Sequence, residues 1–341
     1  MSSWRYALRR LAWSIVALIG LSIVIFLLSR VVPGDPARMA LGPRAPESVV
    51  EELRMQMHLH EPLYTQYAWW LWGALHGDFG MSLVTMRPVL QDILEFLPAT
   101  LDLVILAFLI EVTLGVSLGV LSAMYNRSWV DNVIRVVAYF GIVNPSFVFA
   151  VMFMLLFGYL WPIFPAVGRI SGDTELIRIT GMLTVDSLLR GDLATFLDVA
   201  RHLVLPATAL AMNGMAQQAR ITRSSMVDNL GKDYVAMAVA QGISRSRIMF
   251  KYLLRPSLIP SVSLMGLQFA ALFSNAFLVE LIFNWPGLSR YGVTAMLQKD
   301  LNAVTAVVLV VGLVFVVANI VTDIVVAMLD PRIRLSTGRS S

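Results

Sequence analysis

The chain has 341 residues, 57% of them hydrophobic and 14% charged, with a formal net charge of +4 and no cysteine. A soluble globular domain carries about 25% charged residues, so composition excludes that class. The absence of cysteine excludes a disulfide framework and a thiolate metal site. The positive charge sits in a few short loops, which does not point to nucleic acid as a partner.

A bilayer crossing takes about 20 apolar residues, because backbone groups in hydrocarbon must be satisfied within the segment. Six stretches qualify, near Leu11–Arg30, Thr100–Met124, Val136–Tyr159, Leu203–Ile221, Leu258–Phe283 and Val304–Leu329. The expected fold class is therefore all-α, a polytopic membrane protein with six transmembrane helices. The first stretch follows Arg5, Arg9 and Arg10 as a signal peptide would. It is long for one, however, and Ser29-Arg30-Val31-Val32-Pro33 lacks a small-x-small cleavage pattern. Residues 1–30 thus read as a short tail and an uncleaved span.

Residues 31–97 form a segment with short helices between the first two spans. Pro33-Gly34-Asp35-Pro36 predicts a sharp turn. Pro46 to His58 reads as a helix with Glu47, Glu51 and Glu52 at its start. Tyr64, Tyr67, Trp69, Trp70 and Trp72 follow, ahead of His76-Gly77-Asp78-Phe79-Gly80. Such aromatics suit the headgroup level of a bilayer. A stacking site for sugar or peptide is the alternative.

Residues 98–335 hold the remaining five spans, and 336–341 are a tail. Asp102 stands near one end of the second span and Glu111 near its middle. A mid-bilayer carboxylate is costly and marks a candidate site. The alternative is a structural bond to a serine or asparagine on a neighbouring helix, or a protonated acid inside the protein. Asn144-Pro145-Ser146 interrupts the third span, where proline removes a donor and clashes with the preceding turn, predicting a kink or widened turn. A loop at about 160–202 then leads, through Gly191-Asp192 and a short helical stretch to Arg201, into the fourth span. Pro206 falls in the first turns of that span, where proline is tolerated. With Asn213, Gln217 and Gln218 it is the least hydrophobic span and is expected to be shielded from lipid. The fifth span carries Asn275 and Glu280 before a Phe283-Asn284-Trp285-Pro286-Gly287 turn, and the sixth carries Asn319 and Asp323. Glu111, Asn144, Asn275 and Glu280 are the pathway or gate candidates. Glu280 fits a cap or pair within its own subunit equally well.

Six spans put both termini on one side. That side, with the 125–135 and 220–257 loops, holds 15 basic residues and 4 acids, against 11 and 14 on the other. The Lys/Arg bias of short loops makes it the cytoplasmic side.

Arg220 to Pro260 carries seven of the chain's 26 Lys and Arg residues and only two acids. Within the cytoplasmic loop 223–257, Asp233 is placed to cap a short helix of small side chains that runs to Gln241. Gly242 is its natural stop, since glycine takes positive φ readily. Ser244 is placed to cap a second helix with Arg245, Arg247 and Lys251 on its basic side. Ile248, Phe250, Leu253 and Leu254 give that helix an apolar side, and Pro256 and Pro260 break its way into the fifth span. This helix–glycine–helix order suits docking of a second protein, with Asp233, Tyr234, Ala236, Met237, Ala238, Gly242, Arg245 and Arg247 as candidates. A solvated loop carrying only topology charge is the alternative.

These residues resemble the membrane permease subunit of binding-protein-dependent ABC importers, in the dipeptide/oligopeptide/nickel branch, first-permease type. That class has Glu-Ala-Ala, three residues, then glycine in its cytoplasmic loop; here the places are Ala236, Met237, Ala238 and Gly242, without the glutamate and the middle alanine. ARITRSSM before the loop, Lys232-Asp233-Tyr234-Val235 within it and Arg255 with Pro260 after it fit the branch. So do VVPGDPA, EPLYTQY, GDFGMSL with Arg87-Pro88-Val89, LPATLDL, NPSF, RHLVLPA, FLVELIFNWPGLSRYG and LDPRIR, which together span nearly the whole chain. The departures are Asn275 where small residues are usual, Ser289 after Pro-Gly-Leu, and Asp300-Leu301-Asn302 where Asp-Tyr-Pro is typical.

The resemblance implies a type I importer permease in a bacterial inner (plasma) membrane, both termini cytoplasmic. Its implied partners are a homologous second permease in a heterodimer, two cytoplasmic ATPase subunits, an external or periplasmic solute-binding protein and membrane lipid. The permease binds no cofactor or metal, and ATP and Mg belong to the ATPases. Dipeptides or oligopeptides are the implied cargo, followed by glutathione, nickel complexes and other small solutes, moved by alternating access. The residues themselves agree that this is no enzyme: GxxxxGK[ST] is absent, and His58, His60, His76 and His202 form no HExxH. An ion-coupled secondary transporter is the rival reading, resting on Glu111 and Asp323, although no internal symmetry suggests inverted repeats.

Overall fold

The computed structural model describes residues 3–31, 36–42, 44–56, 58–172 and 179–329. Among them the fold is all-α, and a single bridge between Met81 and Pro88 is the one β pairing. Helix α1 (Ser3–Val31) is followed by the short α2 (Pro36–Leu41), α3 (Glu47–Gln56) and α4 (Leu63–Leu75). Next come α5 (Val89–Met124), α6 (Trp129–Val143), and α7 (Ser146–Phe153) with its π-helical extension Met154–Leu160. Then α8 (Leu183–Leu189) precedes the long α9 (Leu193–Leu230), α10 (Asp233–Ala240) and α11 (Arg245–Arg247). A π-helical turn, Ile248–Leu253, joins α11 to α12 (Leu254–Ile282), and α13 (Leu288–Leu297) and α14 (Leu301–Leu329) end the described chain. The predicted turn at Pro33-Gly34-Asp35 and all but the first residue of the LDPRIR stretch lie outside the described residues.

Among the described residues five helices are long and apolar enough to cross a membrane, and the pair α6 and α7 makes a sixth span if its two arms cross together. That pair is bent by 105° at Asn144–Pro145, far beyond the kink expected there. Proline leaves carbonyls at the end of α6 without intrahelical donors. Asn213 of α9 supplies one, donating from Nδ2 to the Ile142 carbonyl at 3.1 Å. Asn144 donates to the Phe140 carbonyl at 2.8 Å. The polarity of the fourth span thus answers the break in the third.

Helices α5 and α9 share the longest interface in the molecule. Glycine makes their close approach possible: a Cβ on Gly115 would come within 2.7 Å of the Met215 carbonyl, and one on Gly119 within 2.7 Å of the Ala219 carbonyl. Small residues of this kind let membrane helices gain dispersion contact, there being no hydrophobic drive between them in lipid. Leu203, Leu205, Pro206 and Ala207 are all buried, and their packing holds the chain helical across Pro206. The predicted short stretch to Arg201 and the fourth span are therefore one helix, with Pro206 well inside it.

At the α2–α4 end, acidic side chains gather loops. Asp102 accepts from Arg169 and from the Leu183 N–H, both at 2.8 Å, and from the Thr184 hydroxyl. Asp300 accepts from the Ser82 hydroxyl at 2.7 Å, the Leu83 N–H at 2.6 Å and the Ala303 N–H at 3.1 Å. Burial disfavours charge on Asp186, but bonds from the Thr180 hydroxyl and the Thr180, Ile179 and Gly181 N–H groups outweigh it and hold the carboxyl below its ordinary range. Helix α4 lies along α1, where Tyr67 bonds Ser22 at 2.7 Å and Phe26 packs on Tyr67 and Trp70. Trp69 and Trp72 stay exposed, with Trp69 stacked on His58.

At the α10 end, the buried Asp131 of α6 takes a two-point grip from Arg223 of α9, Nε to Oδ1 at 2.6 Å and Nη2 to Oδ2 at 2.7 Å. Ser122 of α5 donates to the same carboxylate at 2.5 Å, and the Arg127 N–H at 3.0 Å. One carboxylate therefore ties three helices. Asp131→Ala is expected to cost about 3–5 kcal/mol, because Arg223 loses its counter-charge. Asp131→Ala combined with Arg223→Met should recover much of that loss, read as melting temperature of the purified protein in detergent.

Candidate functional site

Helix α10 follows the physics of its residues closely. The Gly242 N–H bonds the Val239 carbonyl at 2.9 Å and the Ile243 N–H bonds the Ala238 carbonyl at 3.2 Å, with Gly242 at φ +68°. This is a Schellman stop, with glycine at the one left-handed position. The start differs from the sequence reading: Lys232 is the N-cap and Asp233 lies inside the first turn, where its charge suits the helix dipole without a cap bond. Ser244 stands at the N-cap of α11, but its hydroxyl makes no cap bond.

The faces of α10 correct one expectation. Ala238, placed above among the docking candidates, is only 4% exposed. With Val235 it packs into a cluster with Val120 and Ala123 of α5, Met226 of α9, and Ile248, Met249 and Leu253. Its small side chain lets α10 sit close on its own chain. The outward face carries Met237 at 65% and Val239 at 61% exposure, with Tyr234, Asp233 and Ala236 also exposed. Gly242 is exposed and a Cβ there would meet nothing, so its role is conformational. Arg245 donates to the Met124 carbonyl at the end of α5 at 3.4 Å, and Arg247 is exposed.

The intramembrane candidates divide. Glu111, fully buried, lines a cavity of about 170 Å³ together with Asn275, Pro145, Ser146, Asn213, Gln217 and Gln268. Asn144 is next to this wall and caps its own helix. The expected bond from Glu111 to a serine or asparagine is not made; neither carboxylate oxygen has a partner among the described residues. Gly214 of α9 faces the carboxylate so closely that a Cβ would overlap it. Glu280 lies elsewhere. It accepts from the Thr100 hydroxyl at 2.6 Å and the Arg290 N–H at 2.7 Å, while Thr100 accepts from the Leu288 N–H at 2.7 Å. Trp285 donates from its indole to the Ala99 carbonyl at 2.8 Å. Glu280 thus fixes the tryptophan turn and the start of α13 within its own chain.

Sequence reasoning missed Asp131 and Arg223. The signal was present in Ser128-Trp129-Val130-Asp131, a capping-box pattern, and the Asp131 N–H does bond the Ser128 hydroxyl at 3.4 Å. Arg127 and Arg135 beside it count, in the sequence, as topology charge. Among the described residues, no group of three or more His, Asp and Glu is placed to hold a metal.

Residues 115–335 match the family described as binding-protein-dependent transport system inner membrane component, and residues 3–104 match its N-terminal membrane-component companion. The chain belongs to this family. It is a permease component rather than an ATPase, with a type I ABC importer permease fold, and it is a multi-pass inner-membrane protein of an ABC importer complex. It is similar to the probable D,D-dipeptide transport system permease protein of Escherichia coli strain K12, 37% identical over 98% of each chain. It is also similar to a dipeptide transport system permease protein of Alkalihalophilus pseudofirmus, 35% identical over 96% of this chain and 99% of that one. The glutathione transport system permease protein of Escherichia coli strain K12 is 33% identical over 96% of this chain and 98% of that one. Membership in a family of ABC importer permeases favours ATP-driven transport over the ion-coupled reading.

The Glu111–Gly214 contact gives a direct test. Gly214→Ala should destabilise the permease by about 1–3 kcal/mol through overpacking, and Glu111→Ala in the same chain should relieve most of that. Equal melting temperatures for the parent and Gly214→Ala would show that the carboxylate is free to move aside.

Proposed function

We propose that this permease forms half of a transmembrane pathway for small peptides, driven by separate ATPases. The outward face of α10 carries the reading. A helix with Met237 and Val239 in solvent and Val235 and Ala238 locked onto α5 and α9 is built to receive a push and pass it inward. Those two helices also hold Glu111 and Gly214, so movement of α10 reaches the cavity wall without a flexible link.

In this reading two cytoplasmic ATPases dock on α10, a homologous second permease completes the pathway, and an external binding protein delivers solute. ATP-driven closure of the ATPases shuts the cytoplasmic gate and opens the outer side. The excess of basic residues on the α10 side supports a cytoplasmic place for that side and for both termini. Relatives named for dipeptide transport support peptides as cargo. Glutathione, the cargo in another relative's name, is itself a small peptide.

Because the chain has no cysteine, orientation can be read with single introduced thiols. Ser48→Cys should react with an impermeant reagent applied from outside and Ser244→Cys should not; labelling of Ser244→Cys from outside would reverse the topology. Met237→Asp should leave the permease pair assembled and yet cut ATPase stimulation by the loaded binding protein at least about tenfold, the scale of a lost buried apolar anchor. Ala238→Trp should instead weaken the seat of α10 by about 1–3 kcal/mol. The reconstituted complex should take up labelled dialanine with ATP. Uptake driven by an ion gradient in vesicles lacking the ATPases would sink the proposal.

A further inference from the structure

The cavity beside Glu111 has an unusual polar inventory. Asn213 and Gln217 are already engaged: Gln217 donates to Asn213 at 2.5 Å, and Asn213 donates to the Ile142 carbonyl. Neither turns to Glu111. Gln218 donates to Gln268 Oε1 at 2.5 Å, which uses that acceptor and leaves Gln268 Nε2 and, behind it, Gln218 Oε1 buried with no partner among the described residues. Glu111 keeps both carboxylate oxygens buried and unpartnered. It is also the one charged residue among those lining the cavity.

Burying a carboxylate without a donor is among the costliest arrangements a fold holds. Two strong acceptors on α5 and one amide donor on α12 thus lie, with almost no surface open to it as the helices stand, just behind the wall of a cavity of about 170 Å³. That is the room of roughly five or six waters at about 30 Å³ each. A complementary guest carries a positively charged N–H group, with a carbonyl oxygen a few bonds away. An ammonium guest holds Glu111 ionised, whereas a free carboxylate end gives it no counter-charge and an uncharged apolar guest leaves all three groups unmatched.

We propose that the Glu111 cavity binds the α-ammonium end of the transported peptide, a step that rests on the peptide reading given above. Glu111 accepts hydrogen bonds from the ammonium, and Gln268 Nε2 donates to the first peptide carbonyl. The absence of a side chain at Gly214 lets the carboxylate lie against α9, so separation of α5 from α9 during the transport cycle would bare it to the guest. The same separation is the motion that α10, seated on both helices, is placed to drive.

Difference infrared spectroscopy of the complete complex in nanodiscs tests this without turnover. Subtracting spectra of Glu111→Gln isolates the carboxyl band of this one residue. Dialanine and methylammonium chloride should shift that band, whereas N-acetyl-dialanine and sodium chloride at the same concentration should leave it in place. Gln268→Leu should raise the half-saturating dialanine concentration by several-fold while methylammonium is unaffected, since methylammonium has no carbonyl. A band unmoved by dialanine overturns the site. So does an equal response to N-acetyl-dialanine, or a response to sodium that matches dialanine, which would make it a metal-ion site. ATP-driven dialanine uptake by a parent whose band is unmoved would sink this site and leave the cargo reading standing. An amine-specific band in a parent that takes up no dialanine would sink the cargo reading and leave the ammonium site standing.

Discussion

Everything in this molecule is built around the closeness of α5 and α9. Gly115 and Gly119 on one helix and Gly214 on the other remove the side chains that would hold the backbones apart. In a bilayer this closeness has no hydrophobic drive behind it, so contact area and satisfied polar groups must supply the stability. Three other features hang on that pair: the Glu111 cavity near the middle of α5, the Asp131–Arg223 tie near one end, and α10 packed at that same end. Each takes its position from the way these two helices meet.

The second constraint is the accounting of backbone hydrogen bonds at the broken third span. Pro145 ends α6, and the chain turns away by 105°. Such a break is tolerated in a membrane only where the freed backbone groups are buried in protein or line a water-filled cavity. Asn213 answers one of those groups with a single amide, and Pro145 lines the cavity beside it. The glutamine that bonds Asn213 and the cavity next to it follow from the same choice, because polar residues recruited to mend one helix gather beside it.

Much of the architecture was legible in the chain. Apolar length located the spans, since lipid allows few alternatives to a helix. Gly242 was legible because positive φ is a property of one residue and its neighbours. Ala238 was not: its direction depends on where α10 meets α5 and α9, over a hundred residues away in the case of α5. Glu111 was visible as a cost, but its lack of a partner is visible only once Asn213, Gln217 and Gln218 are seen to be engaged elsewhere. Asp131 was hidden by its setting, since a charge between two spans is read first as a topology signal. Glu280 had two readings of equal standing, and only the folded position of Thr100 brings out the bonds it makes within its own chain.

The loops at the α2–α4 end are sewn to the helices by acids whose oxygens are already taken up by hydroxyls, N–H groups and guanidinium. Asp102, Asp186 and Asp300 are all buried. Dissolved salt weakens exposed charge pairs over a Debye length of about 10 Å at 0.1 M but reaches buried ones far less. The shape of that face is therefore insulated from the ionic strength of the medium it meets, even while the surface charges around it are screened.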